Sequence, residues 1–419
     1  MNSFYGLYIK IIRSDLEISS KDLAKQLNYS APNLSRIEKG QQECTHETFM
    51  AAVDAFSKVD PHYIFNSSKQ LKAEALQTLK SFLRNHMSGF QAEGLREIRS
   101  FITPADRLHS YAYFEVRLLN LIQDYFLEKD ISEIQEIYEW IETYDCSFLP
   151  EEFVFIVYEL SGLDAVKRRD FGAAERFFKK AQIIGGHFQH PGYRALAQLH
   201  TIEVFQSQME HARALLLFDE CQAGFAKMGA FRWGIQLDLL KGKTYVMLRR
   251  YDLAQELFSK AEKQMQQIPL PSGKRQLAQN RAWMDLKMGE YRECLNNVQE
   301  ARSYSSTLSS LSIARVWSTW KLCNKKETAD VIRQELGNLS KKGQEDFVRN
   351  VLLLLRYYLT DNERLLLLTY DKLMNQIKKY PDLDADLLVY DLMTDYYVKK
   401  EEYKEAIVYE RKKIAYLKK

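Results

Sequence analysis

Five sets of four residues recur at a step of 40 and constrain this chain more than any other feature. They are Ile131/Ile134/Tyr138/Ile141, Phe171/Ala174/Phe178/Ala181, His211/Ala214/Phe218/Cys221, Tyr251/Ala254/Phe258/Ala261 and Tyr291/Cys294/Val298/Ala301. The internal spacing of 3, 4, 3 puts each set on one face of a helix. A small residue stands second in four of the five sets, which lets a neighbouring helix approach closely. Recurrence at a fixed period predicts a solenoid, in which each helix pair buries its apolar face only against the next. Further sets, Ala329/Ile332/Leu336/Leu339 and Leu367/Tyr370/Met374/Ile377, follow at steps of 38, and Lys404/Ile407/Arg411/Ile414 closes the array with a wetter face.

Between these sets lie partner helices with their own apolar spacing. Gly242, Tyr245, Tyr251, Ala254, Phe258 and Ala261 together resemble the tetratricopeptide (TPR) pattern, a helix-turn-helix unit of about 34 residues. Gly162 with Phe171, Ala174, Phe178 and Ala181 repeats most of it. The longer period here implies helices about a turn longer. The resemblance covers most of residues 70–419 and implies a right-handed TPR superhelical solenoid. With only 8 prolines and 17 glycines, and no sustained alternation of apolar and polar residues, the expected fold class is all-α. The five cysteines form no CxxC pair, and Cys221 and Cys294 fall on repeat core positions, which suits a reducing cytosol. No signal-like segment opens the chain, and runs such as Val351–Leu355 are far too short to span a bilayer. The expectation is a soluble, cytoplasmic protein. A net charge of +3 by itself points to neither nucleic acid nor membrane.

The first 65 residues obey a different grammar. Phe4–Ser14 reads as an amphipathic helix with Leu7, Ile11 and Ile12 inward. Ser19 with Asp22 forms a capping box for a second helix carrying Leu23, Ala24 and Leu27. Asn28-Tyr29 makes a turn, Ser30 caps a third helix that stops at Lys39-Gly40, and His46–Phe56 is a fourth. This series, with S…LSRIEKG in its third helix, resembles the lambda-repressor/Cro-like (XRE) helix-turn-helix family over residues 4–60. Ala24, Leu34 and Ile37 match its core positions, and Arg13 and Glu38 match an ion pair between its first and third helices. The resemblance implies that the third helix enters the major groove, with Ala31, Pro32, Asn33 and Arg36 at the bases and Ser20 at a phosphate. Arg36 suits guanine and Asn33 adenine, while thymine-methyl contact and shape readout fall to Ala31 and Pro32. Residues 1–65 hold one more acid than base, so a DNA-binding face depends on local clustering of Lys21, Lys25, Arg36 and Lys39, with several acids turned away.

Pro61 and Asn66-Ser67-Ser68 separate this segment from the repeat array. The expected domains are 1–65 for DNA binding, 66–90 as a linker helix region and 91–419 for peptide binding and dimerisation. A helix-turn-helix ahead of a long TPR array resembles the Gram-positive RRNPP regulators, named for Rap, Rgg, NprR, PlcR and PrgX. That resemblance implies a transcriptional regulator that binds double-stranded operator DNA as a homodimer or higher homo-oligomer. It also implies control by a short signalling peptide held in the TPR groove. A bound extended peptide leaves backbone groups unpaired, and Asn and Gln side chains satisfy both donors and acceptors without a charge to desolvate. The TPR register gives Gln206, Gln236, Lys243, Gln279, Asn280, Trp283, Trp317, Lys321 and Asn324 as the inward candidates. Lys243 and Lys321 would meet an acid or a peptide C-terminus, and Trp283 and Trp317 would wall an apolar pocket.

Two alternatives stand beside this reading: a Rap-like effector acting on a response regulator, and a phage lysogeny regulator controlled by a communication peptide. Catalysis has no support in the sequence. His187 and His190 lack the further ligands that zinc requires, and no phosphate-binding loop, GxSxG or HExxH occurs. No enzyme activity and no cofactor are therefore expected.

Overall fold

The computed structural model describes residues 3–88, 90–104, 107–268, 270–304, 310–339, 343–379 and 383–417. Among these the protein is all-α, and its one β pairing is an isolated bridge between Asn66 and Ser110. The N-terminal helices are α1 (Ser3–Asp15), α2 (Ser20–Gln26), α3 (Ala31–Glu38) and α4 (His46–Val59). They are followed by α5 (Gln70–Ser88), α6 (Gln91–Ile102), α7 (Tyr113–Phe126), α8 (Ile134–Thr143), α9 (Glu151–Lys167), α10 (Phe171–Gly185), α11 (Gly192–Ser207) and α12 (His211–Lys227). The chain continues with α13 (Phe231–Met247), α14 (Tyr251–Gln267), α15 (Pro271–Met288), α16 (Tyr291–Tyr304), α17 (Ser310–Leu322) and α18 (Lys325–Asn338). The last four are α19 (Gly343–Leu359), α20 (Glu363–Lys379), α21 (Leu383–Lys399) and α22 (Tyr403–Leu417). No helix among the described residues is long and apolar enough to cross a membrane. The chain forms two compact units, Met1–Val204 with Glu220–Trp233 and Phe205–Asp219 with Gly234–Lys419.

The repeat spacing sets both the packing and the turns. Ala174, Phe178 and Ala181 are fully buried in the first unit, and Ala254, Phe258 and Ala261 in the second. Each phenylalanine lies against the glycine of its partner helix. A Cβ built on Gly162 would fall 2.4 Å from the Phe178 ring, and one on Gly242 2.4 Å from that of Phe258. These contacts need hydrogen in place of a side chain, because interiors packed at crystal-like density leave no slack. The turn inside each pair places one residue in the left-handed region, and these residues recur at the same step. Arg169, Met209, Arg249 and Gly289 have φ of 63°, 61°, 57° and 83°, and Asp361 and Glu401 have 52° and 63°. Between α17 and α18 no such residue occurs; the Asn324 side chain accepts from the amides of Lys326 and Glu327 instead.

Away from this centre the register is kept in part. On α18 Ile332, Leu336 and Leu339 are buried as expected, Thr328 and Glu335 are buried beside them, and Ala329 is only half-buried. On α20 the buried stripe is Leu366, Tyr370, Leu373 and Ile377, with Leu367 and Met374 half-buried. Lys404, Ile407, Arg411 and Ile414 are all exposed, and α22 packs through Ala406 and Tyr409. The buried Glu335 is accommodated by hydrogen bonds from Arg302 (2.8 Å to each oxygen), Arg315 (2.5 Å) and Ser312 (2.6 Å). Burial alone would raise its carboxyl, but these donors outweigh burial and hold it down to about 2.

The N-terminal helices keep their expected core. Leu23, Ala24, Leu34, Ile37, Phe49 and Phe56 are buried, and the Arg13 guanidinium grips Glu38 at 2.6 and 3.2 Å. Gly6 lets α1 lie on α3, since a Cβ there would meet the Ile37 carbonyl oxygen at 2.0 Å. The difference lies on the other side of α1. Phe4, Tyr5, Tyr8 and Ile9 are buried along with Leu7, Ile11 and Ile12, so this helix is exposed only at its C-terminal end, at Ser14 and Asp15. Within the first unit the Phe4 ring meets Tyr111, Phe114 and Phe148 at 5.9, 5.6 and 5.6 Å, and Tyr8 meets Tyr113 at 5.2 Å. Phe65 closes on Tyr111 at 5.3 Å, and the Asn66 amide donates to the His109 carbonyl at 2.7 Å.

A buried charge sits under this junction. Lys72 on α5 places Nζ 4.6 Å from the Phe4 ring and 5.1 Å from Phe148, a cation over two aromatic faces. Its counter-charge is Glu115 on α7, 3.7 Å away and fully buried, with neither carboxylate oxygen in a hydrogen bond. Burial pushes the Glu115 carboxyl up to about 7, against the pull of Lys72. The folded state therefore holds this proton more tightly than the unfolded state does. Stability from this group is fully present below about pH 4.5 and is lost as pH rises toward 7, by roughly 3 kcal/mol. Glu115→Gln should flatten that slope, raising the melting temperature at about pH 7.5 more than at about pH 5, which a thermal-melt series across pH measures.

Candidate functional site

Two surfaces carry the expected functional residues. The first is formed by α2 and α3. Ser19 begins α2, its hydroxyl accepting from the Asp22 amide at 3.1 Å, so Ser20 is the first residue inside the helix. Ser30 caps α3 in the same way through the Asn33 amide, and Pro32 stands in the first turn, where its missing N–H costs nothing. Asn28 supplies the left-handed residue between the two helices (φ 57°), and Gly40 (φ 69°) ends α3. The resulting face exposes Lys21, Lys25, Pro32, Arg36 and Lys39, with Ser20, Ala31 and Asn33 half-buried. Arg36 Nη2 donates to Asn33 Oδ1 at 3.1 Å, so the amide expected to read a base holds the guanidinium beside it.

The second surface lies on α13 and α15 in the second unit. Gln236 Nε2 donates to Gln276 Oε1 at 2.7 Å, and Asn280 Nδ2 to the Leu239 carbonyl at 3.0 Å. These two links set the helices in parallel, 40 residues out of step. Gln236 and Lys243 share one face of α13; Arg275, Gln276, Gln279 and Trp283 share one face of α15. Lys243 is exposed, Gln236, Gln279 and Trp283 are half-buried, and Asn280 is buried. Gln276 and Arg275 were not among the expected residues, yet Gln276 stands one period after Gln236, and that register is the signal that finds it.

The other candidates make contacts within the fold. Gln206 donates to the Leu240 carbonyl and the Thr244 hydroxyl at 3.0 and 2.8 Å, joining α11 to α13. Trp317 is buried in the second unit's core because α17 packs against α15, α16, α18 and α19 together. Lys321 lies over the Trp320 ring at 4.0 Å. Asn324 is the cap of α18, at the rim of a cavity of 560 Å³ also lined by Trp320, Tyr358 and Tyr396. The three lysines of that cavity are already engaged, Lys325 with Asp361 at 3.7 Å, Lys399 with Asp395 at 3.0 Å and Lys400 with Glu363.

No protein-family model matches the chain, and no curated protein matches it. Solved structures do. A Rap protein complexed with competence and sporulation factor has a TM-score of 0.65 at 13% identity, covering 84% of this chain and 98% of that one. NprR in complex with its cognate peptide NprX has a TM-score of 0.62 at 13% identity, covering 83% and 98%. Aspartyl phosphate phosphatase F from Bacillus subtilis has a TM-score of 0.56 at 14% identity, covering 84% and 94%. The protein thus has the TPR-like helical solenoid fold of the Rap and NprR proteins.

The cap assignment is directly measurable. Asn324→Ala should cost about 0.5–2 kcal/mol in urea unfolding, with Asn324→Asp or Asn324→Ser recovering most of it.

Proposed function

We propose that this protein is a cytoplasmic, peptide-controlled transcriptional regulator: the α2–α3 face binds operator DNA and the α13–α15 face binds a short signalling peptide. The observation that carries the DNA half is the open α3 face, where Arg36 is exposed and braced by Asn33 while Leu34, Ile37 and Glu38 anchor the helix from behind. A guanidinium held in that way presents two parallel donors, which match guanine O6 and N7 in the major groove. Ser20 at the start of α2 and Lys21, Lys25 and Lys39 around it suit phosphates. A single small head makes few such contacts, so two copies addressing two half-sites are the expected binding form.

The peptide half rests on the polar lining of α13 and α15, where Gln236, Gln276, Gln279 and Trp283 are half-buried, and on the shared fold. The Rap and NprR structures with that fold hold competence and sporulation factor and NprX. In this reading the chain is a receptor and regulator with no catalytic step of its own. Peptide binding would bias the arrangement of the two heads, and through it operator affinity.

A gel shift with the DNA upstream of its own gene tests the assignment. Arg36→Ala should weaken binding by about 10- to 100-fold, the worth of one bidentate base contact. Lys39→Ala should weaken all sequences alike and reduce the salt dependence by about one phosphate contact. Equal binding by Arg36→Ala and wild type would remove Arg36 from the interface. Absence of binding to any DNA from the host would favour the response-regulator effector.

A further inference from the structure

The charges on α13 and α15 are segregated. Each helix carries a single acid, Asp238 or Asp285, and both are buried. Asp238 turns to Lys260 on α14 at 2.9 Å, and Asp285 accepts from Asn297 on α16 at 2.7 Å. Neither helix offers an exposed carboxylate. Two of their bases are engaged elsewhere: Lys241 with Asp219 on α12 at 2.6 Å, and Arg281 with Glu262 on α14 at 3.0 and 2.8 Å. Lys243, Lys274 and Arg275 have no ion pair among the described residues, and Lys243 and Arg275 flank the Gln236–Gln276 bridge. The neighbouring outer helix α14 behaves differently, mixing Asp252 and Glu256 with Lys260 and Lys263 along one surface. Lys243 and Lys274 are exposed and Arg275 is half-buried; bases without compensating acids on their helices leave a local positive field, and such a field selects a ligand of opposite sign.

We propose that the ligand of this face is an acidic peptide, its negative groups meeting Lys243 and Arg275 on either side of the glutamine bridge. This inference rests on the peptide-binding reading above and adds the charge of the ligand. The side-chain amides of Gln236, Gln276 and Gln279 favour a peptide over a nucleic acid, because they match the alternating donors and acceptors of an extended backbone. Arg275 lies at the Gln276 end of the face and Lys243 two helical turns beyond Gln236. At 1.5 Å rise per residue they stand roughly 12 Å apart along the helices, the span of about three to four extended residues. Two carboxylates at that spacing, one of which can be the peptide C-terminus, satisfy both bases at once.

The test uses the full-length protein, immobilised and incubated with a synthetic pool of randomised heptapeptides, with the retained peptides sequenced by mass spectrometry. Wild type should retain a pool enriched several-fold in Asp and Glu over the input, less so as salt rises. Lys243→Glu and Arg275→Glu should each cut that enrichment, and the double variant should abolish or invert it, with melting temperatures close to wild type. Should either charge reversal destabilise the fold, Lys243→Gln and Arg275→Gln should still reduce the enrichment. A retained pool with ordinary acid content, or enrichment that survives the double variant, would overturn the proposal while leaving peptide binding intact. Release of the retained pool by short duplex DNA would assign the face to nucleic acid and also overturn it. No retained peptide at all would remove the peptide-binding reading, and this inference with it.

Discussion

Helix α1 is buried on both sides, and the organisation of the first unit depends on that. On one side it rests on α3 through Gly6; on the other, Phe4 and Tyr8 enter a nest of rings from Tyr111, Tyr113, Phe114 and Phe148. Aromatic side chains of this size dominate the energetics of a contact, and edge-to-face geometry adds to their burial. The segment Val59–Lys69 is a chain linker, but it is not a mechanical hinge while α1 stays in that nest. An operator-reading face on α2–α3 would therefore be carried as part of the first repeats, not on a loose tether.

Lys72 and Glu115 give that junction a cost as well as a strength. The lysine caps the ring of Phe4, but its partner carboxylate is sealed away from water and 3.7 Å off, too far for a hydrogen bond. A buried ion pair with this geometry recovers little of its desolvation cost. The nest of rings supplies the stability here, and the ion pair fixes where Lys72 sits.

How much of this was legible in the sequence depends on how uniform each stretch is. The centre of the array was readable because Gly162–Phe178 and Gly242–Phe258 solve the same packing problem with the same residue types. At α18 the pattern holds at Ile332, Leu336 and Leu339, but Glu335 also fills an inward position with the help of Arg302 and Arg315, which an apolar pattern does not show. The second buried face of α1 was invisible because Phe4, Tyr5 and Tyr8 supplement a stripe already sufficient for a small helical core. The candidate DNA face could be placed from Ser19, Ser30 and Gly40, since caps and turns are local. The candidate peptide residues could not be sorted, because a TPR register says which way a side chain starts and not what covers it. Trp317 follows the register and ends in the core, while Asn324 opens α18 after a turn that lacks the usual left-handed residue.

The coupling of the N-terminal helices to the first repeats is most directly tested by hydrogen exchange of the full chain in increasing urea. If α1 is shared core, amides of α1, α4 and α7 should lose protection together, in one opening of common free energy and urea dependence. Opening of α1 to α4 at lower urea while α7 stays protected would contradict the account, because it would show a head that folds and moves on its own.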